Sequence, residues 1–115
     1  MQKYALFVFN GDPMCFEHVL LNALDMHAGD SGVKIVIEGE ATKLLPGLAN
    51  KEVAMYEKWD KVKKQGLVAG VCRACSHQMG TRESAEAQGL ELLADMSGHP
   101  GMAAFREAGY EIITF

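Results

Sequence analysis

The stretch Leu67 to Thr81, LVAGVCRACSHQMGT, decides how the rest of the chain is read. Leu67 to Val71 are all apolar or small, the pattern of a buried strand. Cys72 stands where that strand ends, and Arg73 to Met79 run on as a short helix closed by Gly80. In an open α/β sheet, ligands and chemistry collect at the carboxyl ends of the strands. A cysteine placed there also starts the next helix, where free N–H groups and the macrodipole favour an anion. That setting is expected to lower the thiol pKa and produce thiolate. Arg73 adds a positive charge one residue on. Cys72 is therefore the first candidate functional residue. The alternative is an inert apolar filler, because cysteine is among the most buried residue types. Cys75 stands between the same two readings.

Upstream, Lys3 to Phe9 carries YALFVF, rich in aromatic and β-branched types, and reads as a strand. Asn10 and Gly11 turn the chain, Asp12 suits an N-cap and Pro13 the first helical position. Phe16, Val19, Leu20, Ala23 and Leu24 then recur at helical spacing. Cys15 falls in the first turn of this helix and is read as a packed residue. Val33 to Ile37 is a second strand, nearly all apolar, as expected when both faces are covered. Glu38 and Glu40 follow it at its carboxyl end; acids there could act as ligands, and they are read as solvated loop charges. Ala41 to Leu45 is a short helical turn stopped by Pro46 and Gly47. Asn50 is expected to cap a helix running to Gln65. Val53, Tyr56, Trp59 and Val62 share one face of it, with Trp59 on the sheet or on another subunit.

Downstream, Thr81 to Gln88 is a helix ended by Gly89, and Leu90 to Ala94 a fourth strand. Ser97, His99 and Pro100 open a last helix whose buried face is Met102, Phe105 and Ala108. Tyr110 to Phe115 closes the chain as a strand. Strand and helix alternate throughout, which argues a parallel sheet with helices on both faces. Crossovers between parallel strands are right-handed almost always.

Length and composition exclude several classes. A chain of 115 residues is one domain with room for one core, here spanning residues 1–115. With 49% hydrophobic residues it is not disordered. The net charge of −4 gives no nucleic-acid footprint. Lys58, Lys61, Lys63 and Lys64 make the one basic cluster, a solvated helix face without an aromatic ladder. No window approaches the roughly 20 apolar residues of a membrane span. The run Tyr4 to Phe9 is too short for a signal peptide. A cytoplasmic location follows, where thiols stay reduced. Three cysteines in a chain with this much core make a disulfide scaffold a poor reading.

The nucleotide motifs are missing. NGDP after the first strand is neither GxGxxG nor a P-loop, and no GxSxG elbow exists. No cofactor is expected. Cys72 and Cys75 form a C-x-x-C, which suits a dithiol redox pair. With His77 the run becomes C-x-x-C-x-H, three possible zinc ligands. A fourth from His99 or Cys15 depends on the fold, and without a second C-x-x-C a structural zinc site is not expected. His77 is read either as a proton donor or acceptor near Cys72 or as an exposed helix residue. Met14, Met79 and Met96 follow strands one, three and four and so map to the carboxyl edge beside Cys72. They suit shielding of a reactive sulfur, a subunit contact, or ordinary core filling.

The segment LVAGVCRACSHQMG, the Ser97-Gly98 turn and the closing strand EIITF resemble the DsrE/DsrF-like family of small sulfur-relay proteins, which includes the DsrE and TusD subunits. The resemblance runs over nearly the whole chain. It implies a three-layer α/β/α fold with a five-stranded parallel sheet, of flavodoxin- or Rossmann-like topology. It implies homo-oligomers, commonly trimers or hexamers. It implies a persulfide-carrying cysteine after the third strand, which falls on Cys72, and a sulfurtransferase or sulfur-carrier activity with donor and acceptor proteins as partners. Cys75 has no counterpart in that pattern. The candidate site is therefore Cys72, Cys75, His77 and Arg73. The rivals are a dithiol redox or metal-binding protein using Cys72 and Cys75, and a non-catalytic oligomeric binding module.

Overall fold

A computed structural model describes all 115 residues. Its strands are β1 (Lys3–Val8), β2 (Gly32–Ile37), β3 (Val68–Cys72), β4 (Leu92–Leu93) and β5 (Glu111–Thr114). They form one five-stranded sheet in the order β4-β3-β2-β1-β5, and every pairing is parallel. The helices are α1 (Pro13–Ala28), α2 (Leu45–Leu48), α3 (Tyr56–Lys64), α4 (Arg73–Gln78), α5 (Arg82–Ala87) and α6 (Met102–Glu107). A 3₁₀ segment, Gly39–Leu44, leads into α2. The three-layer α/β/α reading holds. No helix is long and apolar enough to cross a membrane.

Strand order explains how unequal the two outer layers are. From β1 to β4 the chain steps three times in one direction across the sheet. Right-handed crossovers all made in one direction place their helices on one face. Residues of α1, α2, α3 and α5 accordingly join Leu6, Val8, Val33, Ile35, Ile37 and Val71 in a core of 17 buried residues. The single return, β4 to β5, crosses the other face and brings α6. There only Ala5, Phe7 and Val36 are fully enclosed, with Phe105, Tyr110 and Ile112 packed against them.

Local chemistry starts α1 as expected. Asp12 caps it by accepting from the Met14 N–H at 2.9 Å, and Pro13 opens it. Phe16, Val19, Leu20 and Ala23 are buried on its inner face. Several boundaries differ from the sequence reading. Pro46 does not stop the short helical turn, because it occupies the first turn of α2, where no N–H is needed. Asn50 makes a local turn to the Glu52 N–H at 3.0 Å, and α3 begins only at Tyr56. Trp59 faces this chain's own core, not another subunit. It is fully buried 5.8 Å from Phe16, and its Nε1 donates to Gln88 at 2.8 Å. The fourth strand shrinks to two residues. The last helix starts at Met102, not near Ser97, because Ser97 and Gly98 adopt positive φ.

Candidate functional site

Three separate elements meet at the carboxyl end of the sheet. Ile37 of β2 pairs in register with Val71 of β3, so the next residues, Glu38 and Cys72, lie side by side on one face. Gly39, at φ +54°, turns the chain away immediately behind Glu38. A side chain on Gly39 would be strained there and would meet the Phe9 carbonyl at 3.2 Å. Cys72 ends β3 and caps α4, its Sγ accepting from the Cys75 N–H at 3.2 Å. Cys75 lies in the first turn of that helix.

The third element is a tight hairpin. Met96 and His99 exchange two backbone hydrogen bonds, of 2.7 and 3.0 Å, across Ser97 and Gly98. Those two residues have φ of 51° and 90°, the left-handed pair of a type I′ turn. The Gly98 carbonyl accepts from the Ala74 N–H at 2.9 Å, docking the turn on α4. His99 is thereby presented to both sulfurs. Its Nδ1 lies 3.2 Å from Cys72 Sγ and 3.6 Å from Cys75 Sγ. The ligand-type atoms of Glu38, Cys72, Cys75 and His99 all lie within 4.8 Å of one another.

Burial dominates the electrostatics. Cys72 is fully buried and Glu38 is 6% exposed. Desolvation pushes the Cys72 thiol up to about 12, assisted by the Cys75 side chain and the Glu38 charge and opposed by the Cys75 N–H. The expected lowering of this thiol is therefore corrected. One backbone N–H at a short helix start is outweighed by removal of the sulfur from water. Desolvation likewise raises Glu38 to about 7. Glu38 is not the solvated loop acid read from sequence, whereas Glu40 is exposed.

The four residues singled out from sequence divide into two groups. Cys72 and Cys75 are in the cluster. Arg73 and His77 are exposed and lie with Ala74, Arg82 and Gly98 around a hollow of about 290 Å³. Arg73 is not among the groups that act on the Cys72 thiol. The imidazole at Cys72 belongs to His99. Cys15 is half-buried in α1. Met14 and Met96 are 71% and 54% exposed, so they do not cover the sulfur as a filled core would. Glu38 and His99 are thus the members that sequence reasoning underweighted. The signals for them were the first residue beyond an apolar strand and a Ser-Gly turn followed directly by histidine.

The chain is 30% identical over 96 residues to the uncharacterized protein MJ0733 of Methanocaldococcus jannaschii, a match spanning 84% of this chain and 76% of the archaeal one. No family model matches the chain, and no solved structure matches it.

Proposed function

We propose a sulfur-relay role for this chain, which belongs to the family of the uncharacterized archaeal protein MJ0733: Cys72 accepts sulfur as a persulfide and passes it on. The observation that carries this reading is the His99 Nδ1 at 3.2 Å from a sulfur held at the carboxyl end of the sheet. The likeness of LVAGVCRACSHQMG to the cysteine segment of DsrE/DsrF-like proteins supports it. Burial keeps Cys72 as a thiol, so a base is needed. His99 takes the proton, and the thiolate attacks the outer sulfur of a donor persulfide. The new S–S bond forms on Cys72, the donor's S–S bond breaks, and the donor leaves as a thiolate that recovers the proton from His99. A second thiolate then attacks the outer sulfur on Cys72 and carries it away. No oxidant is consumed.

A homo-oligomer belongs to the same proposal. The lightly covered face and the carboxyl edge expose Phe9, Met96 and Met102 at 39%, 54% and 37%. Light scattering is expected to give a mass well above the 12.5 kDa of one chain. Incubation with a persulfide donor followed by intact-mass measurement tests the chemistry. Wild type gains one sulfur atom, removable by reductant, and Cys72→Ser gains none. Equal loading of Cys72→Ser would sink the assignment. The second reading, a dithiol redox pair, is favoured by the contact of both sulfurs with one imidazole. Peptide mapping after mild oxidation separates it, since a Cys72–Cys75 link forms only in that case.

A further inference from the structure

We infer that Glu38, Cys72, Cys75 and His99 form a four-donor site for one divalent transition-metal ion of the zinc class. The inference does not rest on the sulfur-relay reading.

Spacing is the first support. Zinc holds sulfur at about 2.3 Å and nitrogen or oxygen at about 2.0–2.2 Å, which sets neighbouring donors of a tetrahedral shell roughly 3.3–3.8 Å apart. The two sulfur-to-imidazole separations are 3.2 and 3.6 Å, and no pair of donors in the cluster exceeds 4.8 Å. Small side-chain adjustments close that shell. Cys75 is three residues beyond Cys72, the usual short spacing of a zinc-binding cysteine pair.

The second support is independent of the sulfurs. Glu38 is 94% enclosed, the complement of its 6% exposure, yet its carboxylate makes no ion pair and no side-chain hydrogen bond. Its oxygens keep contact with solvent, so the carboxylate is open to an incoming cation, and enclosure of the rest of the side chain favours a bound ion over water alone as its partner. Gly39 fixes the backbone so that this carboxylate stays beside Cys72. The cation that would satisfy it is absent from the protein's own side chains. Lys34 and Lys43, the basic residues nearest Glu38 in sequence, are engaged with the Gly66 carbonyl and Glu40, and Arg73, next to Cys72, is exposed in the hollow beyond α4.

Donor type selects the ion. Two thiolates, an imidazole and one carboxylate suit zinc, cobalt(II) or iron(II), and exclude magnesium and calcium, which take oxygen shells. Binding displaces both thiol protons, and also the Glu38 proton when the carboxyl holds one, so the bound site is a metal dithiolate carrying one net negative charge. The Cys75 N–H directed at Cys72 Sγ is the hydrogen bond that a metal-bound thiolate keeps. The three elements that supply the donors are held by sheet pairing and by the docked hairpin, so the shell is largely assembled before the ion arrives. Metal and persulfide both need the Cys72 sulfur, so they exclude one another.

The test is anaerobic titration of the reduced, chelator-treated full chain with cobalt(II), read by absorbance. Sulfur-to-cobalt charge-transfer bands with tetrahedral ligand-field bands are expected, saturating at one ion per chain and bleached by zinc(II). Alkylation of Cys72 and Cys75 should slow at least about tenfold in the loaded protein, because a coordinated thiolate is a blocked nucleophile. Glu38→Gln and His99→Gln, each checked for folding by circular dichroism, should each weaken binding by about 10- to 100-fold or more. His77→Gln should leave it unchanged. Absence of charge-transfer bands in the wild type overturns the site. So does binding that needs the cysteines but is unaltered by both Glu38→Gln and His99→Gln. Cobalt binding with no sulfur loading would count against the relay reading alone, and sulfur loading without cobalt binding against the metal site alone.

Discussion

The core under α1 and the cluster at the ends of β2 and β3 are both enclosed, and their enclosure has opposite energetic signs. In the core, Leu6, Phe16, Leu20 and Val62 lose only apolar side-chain surface to water, at roughly 25 cal/mol per Å² in favour of folding. In the cluster, Glu38 and Cys72 are desolvated groups whose charged forms the fold disfavours. The core holds the sheet together, and the cluster is a cost that the core offsets. Glu38, desolvated and without a side-chain partner, is the place where a group from outside the chain would offset that cost.

The largest way to break the comparison is in the core. Trp59→Ala removes a fully buried ring that packs on Phe16 and donates to Gln88. A loss of about 3–5 kcal/mol is expected in urea denaturation, a large share of a small domain's stability. A loss under about 1 kcal/mol would mean the ring is not a core element.

Glu38→Gln sharpens the contrast, because here removal of a charge should stabilise. Burial holds the Glu38 carboxyl at about 7 in the fold, above its ordinary value of 4.5. Between those values the folded state holds a proton that the unfolded state has released. Stability therefore falls as pH rises from about 4.5 to about 7 and stays lower above that range. The full shift corresponds to about 3 kcal/mol. Water reaching the carboxylate reduces this to about 1–2 kcal/mol. In chelator-treated protein, Glu38→Gln should raise stability by that amount at pH 8 and leave it unchanged at pH 4, measured by thermal denaturation. Destabilisation at pH 8 would show that Glu38 has an internal partner.

The smallest effect is kinetic. With the Cys72 thiol near 12, its alkylation rate in metal-free protein should still be climbing at pH 10, where an ordinary thiol of about 8.5 has levelled off. At pH 7, His99→Gln should slow that alkylation several-fold, and His77→Gln should not change it. Equal effects of the two substitutions would remove His99 from its role as base.

The sheet was legible because its strands are uninterrupted apolar runs, YALFVF and VKIVI among them, and each is bounded by glycine or a helix cap. Helix starts were less so. The segment after Asn50 has a helical apolar face, yet its first residues prefer a local turn to the Asn50 side chain. Cys72 and Cys75 announced themselves through spacing. Glu38 did not, since an acid after a strand is usually solvated, and only the β2–β3 register puts it beside Cys72. His99 depends on strand order as well. It is 27 residues from Cys72, and the β3–β4 pairing, Cys72 opposite Leu93, carries it to the same edge. His77 was favoured because it is near in sequence. A helix rotates a residue five positions on by about 140° from the first, which turns it away from the sulfur.

The order of strands also dictates an order of assembly. β1 is made first, but its second neighbour, β5, is made last: Tyr4 pairs with Glu111 and Phe7 with Thr114. Until β5 forms, β1, an interior strand of the finished sheet, keeps one row of backbone groups open. Everything from β1 to the His99 hairpin can come together while that row waits. The closing contacts span nearly the full chain, the slowest kind to form. Until β5 docks, that open row on β1, rather than the cysteines, is where two copies of the chain would join by strand pairing.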